Sequence, residues 1–454
     1  MRDPKAPLLA GLLALALLGC GEPPPRLLLL ITADTLSSDR LGAYGSPLGL
    51  TPALDRLARH SARFEHAFTP VPLTLPALTS LMTGHYPQES GVRSNVSVLP
   101  AHVETLASIL RSHGWRTAAV VSSFILDPRT GIDRGFERYD HDLPEQERNR
   151  GLPERVGPDT SAAAIRMLDA LDPTAERPLF LWVHYQDAHG PYTAPEECRA
   201  PAGAPPPGVR DRSLPVSPDD RGEGAIPRYQ LLGSLRESAR YRAAYHGEIR
   251  CLDRAIGSLL AELRRRGLFG QAVVVFAADH GEDLGERDSW FAHGARLTRA
   301  ETHVPLLVHV PGRAPEERQD VASLLDVAPT LLRLAGVQAP VELRGRDLFG
   351  FGARYRESSV YLAVPRGTGS FPRHGLVSGG YRYVRTERPV LVLERLRRIG
   401  EPLRELSGAE PERTERMRER LARWRAQLAG LPQERRFQIS PETHEALRAL
   451  GYAR

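Results

Sequence analysis

Asp34, Asp279 and His280 carry the chemistry most easily read in this chain. Each follows a strand-length apolar run, Asp34 after residues 27–32 and the Asp279-His280 pair after residues 273–277. A third polar segment, from His184 through Asp187 to His189, follows the run 179–184. In α/β sheets the residues just past the carboxyl ends of the strands line the reaction site. Two aspartates and an imidazole converging on one rim suit Mg, Mn, Zn or Ca. Thr74 adds a hydroxyl. Pro76 suits the first position of a short helix that Gly84 ends, which puts Thr74 at the positive helix terminus, where an anion or alkoxide is favoured. Taken singly, each of these residues also reads as a cap or turn residue. Their joint placement points to a nucleophile beside a divalent cation.

The elements that must position these groups alternate in type. Residues 27–32, 117–122, 179–184, 273–277 and 304–310 read as strands, and their continuous apolar character suits strands buried on both faces. Between them, helices are expected from Thr51, as N-cap with Pro52 at the first position, and over 103–112, 161–171, 235–266 and 325–335. Strands alternating with helices imply an α/β fold, a large mainly parallel or mixed sheet sandwiched by helices. This catalytic domain spans 26–355 and is interrupted by a Pro/Gly-rich, irregular insertion over 195–227. A smaller C-terminal α+β subdomain follows over 356–454, with strand-like pieces at 360–364 and 381–386 and an Arg/Glu-rich helix over 411–428.

Residues 1–19 read as a signal peptide, with Arg2 and Lys5 before an apolar run that is too short to span a bilayer. The run ends in Leu18-Gly19-Cys20, which resembles a bacterial lipobox with Cys20 as the lipid attachment site. Residues 20–25 then form a lipidated, Pro-rich spacer. The expected protein is exported and lipid-anchored in the cell envelope, on its periplasmic or outer-membrane face, and Cys198 and Cys251 are free to pair or not. The net charge of +5 does not mark a nucleic-acid binder, because the basic residues alternate with Asp and Glu along helices. The identity of those basic residues is unusual. Lys5 is the only lysine, and it leaves with the signal peptide.

Several segments in order resemble the sulfatase family of the alkaline phosphatase superfamily: the runs from Asp34 to Gly45, Thr51 to Ala58, Leu81 to Pro87, Asp279 to Glu282, Val304 to Leu306, Asp326 to Gly336 and Leu447 to Tyr452. The resemblance implies an alkaline-phosphatase-like fold and one divalent metal held by Asp34, Asp279, His280 and Thr74, either Ca or Mg by family likeness, or Mn or Zn for phosphoryl chemistry. It also implies Thr74 as nucleophile, with His189 and His293 around a bound tetrahedral anion. Asp187 and His184 are candidates for a second metal or anion contact, and Asp187, His189 and His293 for a second metal site. The departures bear on mechanism. Where such sulfatases carry Cys or Ser in a Cys-x-Pro-Ser-Arg pattern, this chain has Thr74-Leu75-Pro76-Ala77-Leu78, and threonine cannot become the formylglycine aldehyde. Thr35 stands where many members have another aspartate ligand. Ser122-Ser123 and His293 stand where two sulfate-clamping lysines are expected. The expected activity is hydrolysis of a small-molecule or glycan sulfate or phosphate ester, with the central residues favouring phosphoryl esters. Two alternatives remain, a phosphoethanolamine or phosphoglycerol transferase of the cell envelope and a catalytically degenerate lipoprotein that binds anionic glycans.

Overall fold

The computed structural model describes residues 25–173, 176–217, 222–350, 359–364, 374–385, 391–396, 404–428, 431 and 434–437. Residues 1–24, which hold the expected signal peptide, Cys20 and most of the spacer, and the 447–452 motif lie outside them.

Eight strands form the central sheet. Across it they run Glu316–Ser323, Ala62–Phe68, Leu306–His309, Ala272–Ala278, Leu27–Ala33, Leu179–Tyr185, Arg116–Val121 and Arg138–Asp140. All neighbours pair in parallel except Leu306–His309, which is antiparallel to both of its partners, so the sheet is mixed. The apolar runs take the middle of the sheet, as expected for strands covered on both faces. Leu27 to Leu30 are at most 1% exposed, and burying one such leucine stabilises the fold by about 1.5–3 kcal/mol. In register, Ala33 lies beside both Tyr185 and Ala278. The residues that follow these three strands, Asp34, the 186–189 segment and Asp279-His280, therefore emerge side by side.

Two helix starts differ from the sequence reading. Pro52–Ala58 does begin on Pro52, but Thr51 makes no side-chain cap. Asp253, on the 28-residue helix Ser238–Arg265, accepts from the backbone N–H groups of Ala53 and Leu54 at 2.8–3.1 Å and caps the helix from outside. The helix expected from residue 103 starts at Leu106, because Thr105 accepts from the N–H of Ser108 and fixes the boundary there. The strand Ala62–Phe68 has no counterpart in the sequence reading. Arg63, Glu65 and His66 break its apolar character.

The described part of the 195–227 insertion is tied to the Ser238–Arg265 helix. Arg242 pairs with Asp211 and donates to the carbonyl of Ala202, and His246 Nδ1 lies 2.8 Å from the carbonyl of Pro201. Cys198 and Cys251 form a disulfide across a sequence separation of 53 residues. A closed loop of this length restricts the unfolded chain, so replacing both cysteines by alanine should cost about 2–4 kcal/mol. Urea titration of the double variant checks this. An unchanged midpoint would assign the anchoring to the Arg242–Asp211 contacts alone.

At the C-terminal end, Ser359–Ala363, His374–Ser378, Tyr381–Arg385 and Leu391–Arg395 form an antiparallel sheet in that order, accompanied by the helix Pro411–Gln427. This α+β unit abuts the segments flanking Thr74. The N–H of Ala363 donates to the carbonyl of Pro70, and the N–H of Tyr361 to Tyr86 Oη. Among the described residues no helix is long and apolar enough to cross a membrane.

Candidate active site

Thr74 opens a ten-residue helix, Thr74–Thr83, every residue of which is buried. Thr74 is thus the first helical residue, two places earlier than Pro76 would suggest, and Gly84 closes the helix in the left-handed conformation at φ 66°. The backbone beyond Thr74 draws no cap from its side chain. Leu75 N donates to Asn95 Oδ1 at 3.0 Å, Pro76 has no N–H, and Ala77 N reaches the carbonyl of Leu73. The Thr74 hydroxyl is not needed as a cap. Its Oγ1 lies 3.5 Å from Asp34 Oδ2 and 3.5 Å from His280 Nε2.

Asp34, Asp279 and His280 converge as expected. One ligand atom from each lies within 4.8 Å of the others, and His280 Nε2 is 3.6 Å from both Asp34 Oδ1 and Asp279 Oδ2. Backbone groups orient them. His280 Nδ1 faces the carbonyl of Gly281 at 3.1 Å, and Asp279 Oδ1 accepts from the N–H of His280. Gly281 is required here, because a Cβ would lie 2.0 Å from the carbonyl oxygen of Ala300. Asp34 Oδ1 and Asp279 Oδ2 are buried, with no hydrogen-bond partner among the described residues. Burial pushes both carboxyls well above their usual range, Glu282 adding to the effect at Asp34 and Asp34 to that at Asp279. Two buried acceptors left unsatisfied beside an imidazole held by its other nitrogen match the donor set of a divalent cation. Thr35, at φ 50°, donates its N–H to Asp279 Oδ1 and accepts from Tyr245 Oη, while its own hydroxyl oxygen has no partner.

The two histidines flank this cluster. The ring of His293 is 4.5 Å from that of His280 and 5.3 Å from that of His189. His293 Nδ1 lies 3.1 Å from Glu282 Oε1, and Tyr192 Oη donates to Glu282 Oε2 at 3.0 Å. Burial pushes the Glu282 carboxyl up to about 8 and the His293 imidazole down to about 3. His189 Nδ1 faces the carbonyl of Gly190 at 2.7 Å, and burial lowers its pKa as well.

His184 and Asp187 are not in the three-ligand set. His184 Nδ1 is 2.9 Å from Thr32 Oγ1. Asp187 lies against the backbone of Gly157, the first residue of the helix Gly157–Leu171, where a carboxylate fits as a cap. Among the described residues the three-ligand metal set is Asp34, Asp279 and His280 alone, without the Asp187, His189 and His293 combination. Ser122 donates to the carbonyl of His184 and accepts from the N–H of Gln186, so its hydroxyl is consumed at the strand end. Three residues at the site had no signal in the sequence. Asn95 presents a buried Nδ2 without a partner, Tyr229 stacks on His189 with ring centroids 6.0 Å apart, and Arg150 packs over Tyr229.

The family model Sulfatase matches residues 26–337. Choline-sulfatase of Rhizobium meliloti (strain 1021) is 28% identical over 358 residues, covering 68% of this chain and 67% of that protein. Arylsulfatase A of Bos taurus is 30% identical over 396 residues, covering 80% and 72%. Among solved structures, the phosphonate monoester hydrolase SpPMH from Silicibacter pomeroyi superposes with a TM-score of 0.69 at 19% identity, covering 88% of this chain and 95% of that one. The BT4656 complex with D-glucosamine-2-N,6-O-disulfate gives the same TM-score at 16% identity, covering 89% and 98%. With the family's model spanning the sheet and every strand end that carries the cluster, the chain belongs to the sulfatase family of ester hydrolases.

Proposed function

We propose that the protein hydrolyses phosphate or phosphonate esters in preference to sulfate esters, with Thr74 as nucleophile. One observation carries this reading. The Thr74 hydroxyl sits at the N-terminus of a buried helix and, among the described residues, has Asp34 and His280 as its hydrogen-bond partners.

Asp34, Asp279 and His280, with Thr74, would hold one divalent cation, Ca or Mg as in the resemblance or Mn or Zn. When bound it supplies Lewis-acid stabilisation of charge on oxygen. The helix terminus favours the ionised hydroxyl by up to about 2 kcal/mol in a buried setting. Thr74 Oγ1, its proton released to solvent, attacks phosphorus, a new O–P bond forms, and the bond to the ester oxygen breaks. The leaving oxygen takes a proton from the His293–Glu282 pair, which holds one through neutral pH because burial raises the carboxyl to about 8. Water then attacks phosphorus and returns one proton to the His293–Glu282 pair, and the bond from phosphorus to Oγ1 breaks, which frees Thr74 for another cycle. A sulfated threonine lacks the carbon–oxygen exit that a formylglycine hydrate offers, which supports the phosphoryl preference. For location, the Cys20 motif and the Cys198–Cys251 disulfide support export to an oxidising envelope compartment with a lipid anchor.

The test is a panel of nitrophenyl sulfate, phosphate monoester, phosphodiester and phosphonate monoester, assayed with Ca, Mg, Mn and Zn in turn. A phosphoryl substrate should exceed the sulfate in kcat/KM by at least about tenfold. A faster sulfate would overturn the preference, and no turnover of any substrate would favour the anionic-glycan-binding alternative.

A further inference from the structure

Arg150 sits near the tip of the hairpin made by Glu145–Gln146 and Pro153–Glu154, yet its side chain turns inward and is only 6% exposed. Its Nε donates to both carboxylate oxygens of Glu147, at 2.8 and 2.6 Å, and Nη2 reaches the carbonyl of Gly190 at 3.4 Å. That carbonyl also faces His189 Nδ1. The guanidinium lies 4.4 Å from the centroid of the Tyr229 ring, against which the His189 ring also stacks. Asn149 fixes the hairpin against the same segment by donating to the carbonyls of Tyr229 and Leu231. The ion pair thus occupies one edge of the guanidinium. Nη1 is buried, with no hydrogen-bond partner among the described residues.

A buried donor without a partner is costly unless a ligand completes it. The groups Arg150 touches, Gly190 and Tyr229, both adjoin His189, whose ring lies 5.3 Å from that of His293 beside the cluster. We propose that Arg150 binds the tetrahedral anion directly, Nη1 donating to a non-bridging oxygen of phosphate, phosphonate or sulfate, with Glu147 as its positioning residue. The chain has lysine only at position 5, so an arginine from a hairpin distant in sequence takes the role of cationic clamp. A guanidinium keeps its charge at any working pH and offers a planar, directional donor, which suits phosphoryl oxygens. This inference rests on the hydrolase reading only for what the anion is attached to, because the binding of a free anion tests it separately.

The test measures dissociation constants of inorganic phosphate and sulfate by calorimetry, with and without divalent metal, for the wild type, Arg150→Gln, Arg150→Lys and Glu147→Gln/Arg150→Gln, alongside KM and kcat on the best phosphoryl substrate. The double variant removes both buried charges together and covers the case in which Arg150→Gln leaves Glu147 unpaired and does not fold. Arg150→Gln and the double variant should weaken anion binding at least about tenfold and raise KM, and Arg150→Lys should recover part of the loss. Anion affinities equal to wild type in the folded variants would overturn the proposal and leave Arg150 as a structural partner of Glu147. If the wild type turns over no ester but its phosphate affinity still depends on Arg150, the hydrolase reading fails and this one stands. If turnover requires Thr74 while anion affinity ignores Arg150, the reverse holds.

Discussion

Asp279→Asn will raise the stability of the metal-free protein at neutral pH and at the same time abolish its stabilisation by divalent cations. The reason lies in two buried carboxyls whose free oxygens face one another's cluster without a protein donor. Asp34 and Asp279 are buried, and their Oδ1 and Oδ2 atoms respectively have no hydrogen-bond partner among the described residues. Burial raises both pKa values in the folded protein, and their proximity adds to the effect at Asp279. Below the ordinary carboxylate pKa of about 4, folded and unfolded chains are both protonated and neither group affects stability. As pH rises above that value the unfolded chain ionises first, so each group lowers the unfolding free energy by up to about 1.4 kcal/mol per pH unit until its folded pKa is reached. Metal-free wild type should therefore lose stability relative to Asp279→Asn as pH increases from 5 to 8. A cation that binds only the folded, ionised cluster acts in the opposite direction, adding about 2.7 kcal/mol at a hundredfold excess over its dissociation constant. Melting curves of both proteins across this pH range, in chelator and in saturating Mn, Mg, Ca or Zn, read both effects. Equal metal-induced shifts in wild type and variant would remove Asp279 from the ligand set.

The parts of this arrangement that were legible in the sequence share one property, in that local composition alone decides them. The runs at 27–32 and 273–277 became central strands because continuous apolar residues are stable only under cover on both faces, and Asp34 and Asp279-His280 then had to emerge at the same rim. Thr74 was placed by Pro76 and Gly84, although the helix starts on Thr74 itself. What was hidden depends on partners far apart in the chain. The strand Ala62–Phe68 carries Glu65 and His66 into the interior, where His303 Nε2 meets the carbonyl of Glu65 across 238 residues. The Pro52 helix takes its cap from Asp253, two hundred residues away. Arg150 lies in a stretch without periodicity, and nothing local shows that its guanidinium will meet Gly190 and Tyr229. Asp187 follows a strand as the site residues do, but its carboxyl lies against the backbone of Gly157 at the start of a helix remote in sequence.

Thr74→Ala should reduce kcat on phosphoryl substrates by at least about a thousandfold, while Thr74→Ser should stay within about tenfold of wild type. The contrast follows from what holds the residue. Asn95 and Leu73 satisfy the helix terminus around position 74, so removing the hydroxyl leaves no backbone group uncapped and the helix should form unchanged. Any loss of activity then reports chemistry rather than folding, and equal melting temperatures for the three proteins check that premise. Serine keeps the oxygen and sheds only a methyl group, which leaves a small void in a fully buried helix and costs at most a modest loss of stability. Acid quenching during turnover should trap a phosphoryl group on the peptide that contains Thr74 in wild type and Thr74→Ser, and none in Thr74→Ala. Equal turnover by Thr74→Ala and wild type would assign the attack to water and reduce Thr74 to a contact of the Asp34 and His280 pair. Thr74→Cys supplies a further discrimination. With Ala77 and Leu78 in place of Ser and Arg, the cysteine would not be read by formylglycine-generating chemistry, so this variant should not gain activity on aryl sulfates. A gain would show that the rest of the site had remained competent for sulfate and that residue 74 alone had turned it toward phosphorus.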